Sequence, residues 1–404
     1  MIIKPAERTA SVKEYYFSRK LKEIDRMNAD REASGLPKVI NLGIGAPDGM
    51  PPAGAISELQ SLAGEPGNHA YQSYVGTPAL RKAFSDWYSR YYGVSLSPDG
   101  EIQPLFGSKE GILLISLAFI NEGDKVLVPD PGYPTYTSAS RLVGAEILTY
   151  DLKEDNGWHP DFDALEKMDL DGVKIMWTNY PNMPTGGSAT PELYQRLVDF
   201  GLKHNILIVN DNPYSFILND KPLSILAAKG AMECCLELNS LSKAHNMSGW
   251  RIGMVGGSKE IIAEVLKVKS QMDSGMFKPM QMAAVKALEQ GPEWFSELNA
   301  EYRIRREAAG RIFDILGARY DHASAGLFLW GKVDRDNVLL KGRDCPDEDT
   351  SLGERVSDAI LSEAGVFITP GFIFGKNGRD YIRISLCAKP EVLADAEAKI
   401  RRIL

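Results

Sequence analysis

Short apolar runs that end in turn residues recur through the middle of this chain. Four of them predict strands, at residues 125–128, 173–177, 206–209 and 235–238. Runs of this length without polar alternation are typical of parallel strands that are buried on both faces. Helical patterns such as 191–204 lie between them, and this alternation indicates a doubly wound α/β fold, with helices on both faces of a mostly parallel sheet.

A different pattern begins near residue 291. Pro292 starts a long charged helical segment, and the later segments 327–330 and 381–385 have the character of strands with helices between them. This pattern predicts a smaller α+β domain. We therefore expect an N-terminal segment, 1–48, that joins the small domain, a large domain at 49–290 and the small domain at 291–404.

Composition and charge exclude several functional classes. The net charge is −8, with 44% hydrophobic and 25% charged residues, so a basic nucleic-acid-binding surface is not expected. The longest nearly apolar stretch, 112–120, is too short to span a bilayer. The first residues lack a signal-peptide pattern, and the four cysteines form no C-x-x-C pair, which predicts a cytoplasmic protein. Five scattered histidines predict no catalytic metal.

Lys243 carries the most informative chemistry. It ends the stretch Ser240-Leu241-Ser242-Lys243, and Arg251 follows eight residues later. Asp211 and Tyr214 lie upstream. An amine, an acid, a phenol, hydroxyls and a cation suit pyridoxal phosphate, because its aldehyde forms a Schiff base with lysine, its ring nitrogen pairs with a carboxylate and its phosphate needs hydroxyls and a cation.

Polar residues follow three of the predicted strands. Asn182 follows 173–177, Asp211 follows 206–209, and Lys243 follows 235–238. Ligands of open α/β sheets bind beyond the carboxyl ends of the strands, so we expect these side chains to meet in one crevice. Ser108 begins an apolar helix after Gly107, which suits a phosphate seat, although an ordinary N-cap serine would give the same pattern.

Two further residues allow a functional and a structural interpretation. Tyr133 could stack on the cofactor ring or belong to the core. Arg383, on the predicted strand 381–385, could bind a substrate α-carboxylate with two hydrogen bonds or form an ordinary surface salt bridge.

Together these motifs resemble the class I and II aminotransferases of the aspartate aminotransferase superfamily, which have the type I fold of pyridoxal-phosphate enzymes. The resemblance extends from about Asn41 to Ser385 with the motifs in the same order. The matching segments are 42–48 (LGIGAPD), 74–81 (YVGTPALR), 107–111 (GSKEG), 130–134 (DPGYP), 182–186 (NMPTG), 211–214 (DNPY), 240–243 (SLSK) with Arg251, and 383–385 (RIS).

The resemblance implies a role for each matching residue. Lys243 is the expected Schiff-base lysine, Asp211 the partner of the ring nitrogen and Tyr133 the stacking residue, with Asn182 and Tyr214 on the ring hydroxyl oxygen. The remaining residues have expected roles at the phosphate (Ser108, Lys109, Ser240, Arg251), at the substrate carboxylate (Gly45, Asn182, Arg383), and at the phosphate of the other subunit of an obligate homodimer (Tyr71). The implied reaction is ping-pong transfer of an amino group from an L-amino acid to a 2-oxo acid, with 2-oxoglutarate expected by analogy.

One position departs from the family pattern. The family commonly has a second asparagine where this chain has Met183, which predicts altered packing beside the site. The chain looks closest to the branch of LL-diaminopimelate and aspartate aminotransferases, and Lys109 favours an acidic or diamino-acid donor. The aromatic segment 15–17 could instead favour aromatic or apolar donors, or could simply pack against the helix that follows.

Two other functional classes stay open at this stage. The same residues serve C–S lyases and cyclopropane-forming synthases. These enzymes catalyse elimination reactions and do not transfer nitrogen. A pyridoxal-phosphate-binding sensor domain of a transcription regulator would carry an added basic DNA-binding domain. About 40 residues precede the first motif, too few for such a domain, and the charge balance is acidic.

Overall fold

A seven-stranded sheet forms the centre of the computed structural model, which describes residues 3–12, 14–341 and 349–404. Its strands, in spatial order, are β2 (Ile102–Leu105), β8 (Gly253–Gly257), β7 (Cys235–Ser240), β6 (Leu207–Asp211), β5 (Val173–Asn179), β3 (Lys125–Asp130) and β4 (Glu146–Asp151). The five strands from β7 to β4 are parallel, whereas β8 is antiparallel to both of its neighbours. The predicted mostly parallel sheet is confirmed, with β8 as the exception.

Both faces of this sheet are buried, which explains the apolar runs. Along β3, Val126 and Val128 pack into a core on one face and Leu127 into a core on the other. Successive strand residues point to opposite faces, so a strand covered on both sides needs apolar residues at every position. Helices cover the two faces: α3 (Pro78–Tyr92), α4 (Ser108–Phe119), α5 (Pro134–Leu142), α6 (Phe162–Leu165), α7 (Pro191–His204), α8 (Ala231–Cys234), α9 (Leu241–Ala244), α10 (Lys259–Lys269) and α11 (Lys278–Leu288).

The C-terminal part of the chain forms a separate antiparallel sheet. Its spatial order is β12 (Thr369–Pro370), β13 (Tyr381–Ser385), β10 (Phe328–Lys332) and β9 (Arg319–Tyr320). The associated helices are the long α12 (Pro292–Ile315), α13 (Leu352–Ala364) and α14 (Pro390–Arg401). The predicted helix after Pro292 and the strands around 328 and 383 are therefore confirmed.

The N-terminal segment packs against this C-terminal part. After α1 (Tyr16–Ala33), the short strand β1 (Ile40–Asn41) pairs in parallel with β11 (Val366–Phe367). The chain then enters α2 (Ala53–Ala63), which packs against α11. In this way residues from both ends of the chain reach the carboxyl ends of the central strands.

Candidate active site

A cleft of about 410 Å³ lies at the carboxyl ends of the central strands. The sequence places polar side chains there because Asn179, Asp211 and Ser240 are the last residues of β5, β6 and β7. Of the predicted site residues, those that line the cleft are Gly45, Ser108, Lys109, Tyr133, Asp211, Tyr214, Ser240, Lys243, Arg251 and Arg383. The structure thus brings together all of the predicted residues except Asn182 and Tyr71.

Lys243 projects its amine into this cleft from α9. Its Nζ donates a hydrogen bond to the carbonyl of Gly45 at 2.6 Å. Burial lowers the pKa of Lys243, and the neighbouring cations Arg251 and Arg383 lower it further. A lysine with a lowered pKa supplies more of the neutral amine, which is the form that reacts with an aldehyde.

Asp211 supplies a buried carboxylate with an unused oxygen. Its Oδ2 accepts a hydrogen bond from the Tyr136 hydroxyl at 3.0 Å, whereas Oδ1 has no partner among the described residues. Burial raises the pKa of Asp211 to about 7. A cationic N–H placed against Oδ1 would satisfy this oxygen and stabilise the ionised carboxylate.

Aromatic side chains form the walls around Asp211. Tyr136 stacks on Trp177 with ring centroids 5.2 Å apart, and Tyr133 meets Tyr136 edge to face. Burial raises the pKa of the Tyr214 hydroxyl, which keeps it a hydrogen-bond donor. The sequence analysis missed Tyr136, which lies in the first turn of α5, three residues after Tyr133, the residue that precedes this helix.

The beginning of α4 forms an anion-binding corner. Ser108 is the first residue of this helix, where free N–H groups and the helix dipole favour negative charge. Arg251 closes the corner so tightly that a β-carbon at Gly107 would overlap its guanidinium group. Ser240 donates to Ser242 at 2.9 Å, and Arg251 donates to Ser242 at 3.4 Å, so hydroxyls and a cation converge there.

Arg383 is a buried cation without a carboxylate partner in the described structure. One terminal nitrogen donates to the carbonyl of Gly43 at 2.7 Å, and Nε has no partner. The rings of Phe328, Phe374 and Phe17 surround its guanidinium carbon at 3.9, 4.7 and 5.5 Å. Burial lowers the pKa of Arg383 to about 10, so the group still carries its charge at neutral pH and can bind a carboxylate.

The structure requires a correction at the 182–186 turn. Asn182 does not line the cleft: its Oδ1 accepts from the Thr185 hydroxyl at 2.7 Å, and its Nδ2 is buried without a partner. Met183 and Asn179 line the cleft instead, and the Met183 sulfur lies 3.4 Å from a terminal nitrogen of Arg383. In this turn the side chain that lines the cleft is therefore the Met183 thioether, and the expected role of Asn182 stays a prediction.

The aromatic N-terminal segment forms part of the cleft wall. Tyr15 and Phe17 line the cleft, and the amine of Lys109 lies 5.0 Å from the centre of the Tyr15 ring. Of the two interpretations left open by the sequence, this position favours the one in which the segment approaches the substrate. Tyr16 has a different environment, since it packs edge to face against Phe372.

Tyr71 lies away from this cleft. Its side chain is 91% exposed, which leaves it free to contact another molecule. The exposed side chains of Met50 and Phe277 are further large apolar groups on the described surface.

The residues in the cleft fit pyridoxal phosphate. The unpartnered Oδ1 of Asp211 matches a protonated ring nitrogen, and the helix start at Ser108 with Arg251 matches a phosphate. The amine of Lys243 matches the aldehyde. The residues described in the structure contain no group of three or more metal-binding side chains. The described helices also include none that is long and apolar enough to cross a membrane.

Comparisons with known proteins agree with this chemistry. Residues 37–400 match the family model for aminotransferase class I and II. The LL-diaminopimelate aminotransferase of Nitratidesulfovibrio vulgaris is 38% identical over 403 residues, covering 99% of each chain. The enzyme of the same name from Aquifex aeolicus is 39% identical over 383 residues, covering 94% of this chain and 95% of its own. The substrate-bound BacF structure from Bacillus subtilis superposes with a TM-score of 0.89 at 32% identity, covering 100% of this chain and 98% of its own.

Proposed function

This chain belongs to the class I and II aminotransferase family, and from that premise we propose that its amino donor is LL-diaminopimelate and its acceptor 2-oxoglutarate. The chain is a pyridoxal-phosphate-dependent enzyme that transfers an amino group from an amino acid to a 2-oxo acid. The observation that carries the site assignment is the buried Asp211 oxygen without a partner, in the same cleft as the Lys243 amine.

Each proposed role in the reaction belongs to a residue of the cleft. Pyridoxal phosphate, when bound, supplies the carbonyl carbon that takes the amino nitrogen and a protonated ring that accepts the electron pair left at Cα. Once pyridoxal phosphate is bound, Nζ of Lys243 would remove the proton from Cα of the substrate and hold it for its return. Asp211 keeps the ring nitrogen protonated, because the buried carboxylate is most stable beside a cation.

The remaining residues bind and orient. We assign Ser108, Ser240 and Arg251 to the phosphate, with Lys109 at its edge. Arg383 and the backbone at Gly45 hold the substrate α-carboxylate, and Tyr214 donates to the ring oxygen. Tyr133 packs on the ring face. The burial of Arg383 without a counter-ion supports its assignment, since an incoming carboxylate would supply the missing acceptor.

The rim of the cleft supports a donor with a distal polar group. Lys109 is exposed there, and its amine lies over the Tyr15 ring. The Lys109 cation at the rim would attract a second carboxylate, and diaminopimelate carries one. The names of the relatives at 38% and 39% identity favour the same donor.

We also propose a homodimer with shared sites. The 91% exposed Tyr71 is the residue assigned to the phosphate of the partner's cofactor. Within each chain, the proposed functional units are a large unit at 49–290 and a small unit at 291–404 joined by segment 1–48. The separate sheets at 102–257 and 319–385 and the β1–β11 pairing support this division.

A half-reaction screen tests the donor. Purified protein loaded with pyridoxal phosphate is mixed with LL-diaminopimelate, L-glutamate, L-aspartate or L-phenylalanine, and the formation of pyridoxamine phosphate is measured. We expect the fastest conversion with LL-diaminopimelate, and also conversion with L-glutamate. Faster conversion of phenylalanine would overturn the donor assignment, and release of pyruvate or ammonia without pyridoxamine phosphate would indicate a lyase.

A further inference from the structure

Asp130 joins the central sheet to a segment of the C-terminal part. It is the last residue of β3 and is 5% exposed. Its two carboxylate oxygens accept hydrogen bonds from the backbone N–H groups of Lys376 and Asn377, at 3.1 and 3.0 Å. The Asn377 side chain in turn donates to the backbone carbonyl of Asp130 at 3.0 Å. Three hydrogen bonds therefore fix the segment 371–378 against the end of β3.

The backbone on both sides is shaped for this close contact. Gly375 has a φ of 139°, and a β-carbon there would overlap the Asp130 carboxylate. On the other side, the N–H of Gly132 donates to the carbonyl of Phe374 at 2.8 Å. A shift of the segment away from β3 would therefore break the hydrogen bond between Gly132 and Phe374.

The segment fixed by Asp130 carries part of the Arg383 environment. Phe374 places its ring 4.7 Å from the Arg383 guanidinium carbon and packs against Trp330. The chain leaving Asp130 in the other direction reaches Tyr133, which lines the cleft. Asp130 itself is not among the residues that line the cleft. Asp130 therefore supports two lining residues of the cleft, Phe374 on one side and Tyr133 on the other.

We propose that Asp130 is a positioning residue for the substrate carboxylate: it fixes the segment 371–378 so that Phe374 holds the Arg383 guanidinium in its binding orientation. This inference rests on the proposed role of Arg383. The charge of Asp130 suits the task, because a carboxylate accepts two backbone N–H groups and neither has a competing side-chain acceptor in this contact. The Lys376 amine instead lies 3.4 Å from Asp151.

The substitution Asp130→Asn tests this role while keeping the side-chain shape. Its amide group would place N–H against a backbone N–H, so one of the two hydrogen bonds is lost. The probe is succinate, an unreactive dicarboxylate, titrated calorimetrically into the cofactor-loaded protein. We expect the dissociation constant to rise about tenfold, as for the loss of one buried hydrogen bond. Phe374→Leu should produce a similar rise, and the double variant should bind no more weakly than either single variant.

Two controls separate this role from general structural support. Asp151→Asn removes the negative charge beside the Asn377 and Lys376 side chains and leaves the Asp130 carboxylate unchanged, and it should change succinate binding less than about twofold. Arg383→Gln should abolish binding. If Arg383→Gln binds normally, the carboxylate assignment itself fails. Suppose that Arg383→Gln abolishes binding. The positioning role is then overturned if Asp130→Asn lowers only the melting temperature and leaves succinate affinity unchanged. It is also overturned if the loss of affinity in Asp130→Asn adds fully to the loss in Phe374→Leu.

Discussion

Met183 is the residue at which this site departs most from the expected chemistry. A thioether accepts hydrogen bonds weakly and donates none, so the Met183 side chain offers no donor to a substrate carboxylate or to the cofactor ring oxygen. Asn179, which also lines the cleft, uses its amide to hold the backbone: it donates to the carbonyl of Asp211 and accepts from the N–H of Met183. Tyr214 is consequently the side chain that we expect to donate to the ring oxygen.

The substitution Met183→Asn should shift the pH at which the visible absorbance of the cofactor-loaded protein changes. An amide N–H donated to the ring oxygen weakens the attraction by which that oxygen keeps the Lys243 nitrogen protonated. We expect the pKa of the visible absorbance change to fall by about one unit, equivalent to one hydrogen bond. Met183→Leu keeps the wall apolar and should leave this pKa where it is in the wild type. A fall in both variants would attribute the change to packing and contradict this explanation.

His245 makes the folded protein sensitive to acid. Its imidazole is fully buried beside Trp87 and Phe295, both ring nitrogens lack partners in the described structure, and burial lowers its pKa from 6.5 to about 3. The unfolded chain therefore binds a proton below pH 6.5 that the folded chain does not. The stability due to the neutral form is complete above pH 6.5 and is lost progressively as the pH falls towards 3. Between pH 7.5 and 5 this loss is about 2 kcal/mol.

The substitution His245→Leu should remove that part of the pH dependence. Urea unfolding of the cofactor-free protein at pH 7.5 and pH 5 gives the free energy of unfolding at each pH. We expect the decrease between the two pH values to be about 2 kcal/mol smaller in His245→Leu than in the wild type. His322→Leu, at an exposed position, should retain the wild-type decrease. Equal decreases in all three proteins would show that His245 does not set the acid sensitivity.

At the scale of elements, the start of α4 combines an unusual backbone with a crowded environment. Gly107 has a φ of 84° and lies against the Arg251 guanidinium, so Gly107→Ala combines backbone strain with a displaced cation. We expect the affinity of the cofactor-free protein for pyridoxal phosphate to fall at least about tenfold. Gly123 has a similar φ of 86° but open space around it, so Gly123→Ala adds strain alone. Fluorescence titration should show a weakened affinity only for Gly107→Ala, and equal losses would contradict the crowding argument.

The elements that the sequence predicted are those with a continuous apolar signal. Strands β3, β5, β6 and β7 are buried on both faces, and each extends two residues beyond the predicted run at its carboxyl end. The strands that the sequence analysis missed have weaker patterns. β2 and β4 are at the edges of the sheet, where Pro104 and partly exposed residues are tolerated, and β8 contains three glycines. The antiparallel direction of β8 follows from packing and has no local signal.

The same distinction applies to the site. Residues at or just beyond the end of a strand, such as Asp211 and Lys243, could be placed because the ends of parallel strands meet at one edge. Which side chain of the 182–186 turn faces the cleft depends on the backbone of the turn, and the sequence could not distinguish Asn182 from Met183. Phe328 reaches Arg383 because β10 pairs with β13, and Phe374 reaches it because the segment 371–378 folds against the end of β3, so both contacts depend on tertiary structure.

At the scale of the whole molecule, the site is built from both ends of the chain and, in our proposal, from two chains. Asp211 comes from the central sheet, Lys243 from helix α9 that follows β7, Arg383 from the C-terminal sheet and Tyr15 from the N-terminal segment. Tyr71, with its exposed side chain, would come from the second subunit. In this proposal, activity depends on the association of two chains, and complementation between variants tests it.

Mixing two inactive variants should restore activity if the sites are shared. Lys243→Ala lacks the base, with an expected loss of at least about 10³-fold, and Tyr71→Ala lacks the proposed phosphate contact from the partner. A heterodimer of the two contains one site with both native residues. After co-expression or subunit exchange, we expect activity well above the sum of the separate variants, measured as conversion of L-glutamate to 2-oxoglutarate. Recovery no greater than that sum would place Tyr71 outside the partner's site.

The pairing of β1 with β11 also has a consequence for biosynthesis. Ile40 leaves the ribosome roughly 330 residues before Val366, its partner in the sheet. At about 5–20 residues per second, the N-terminal segment waits on the order of 15–65 s for that partner, whereas every strand of the central sheet has been translated once residue 257 is added. The part of the cleft formed by Tyr15 and Phe17 is therefore assembled last. A nascent chain can form the part that contains Asp211 and Lys243 well before this N-terminal part is in place.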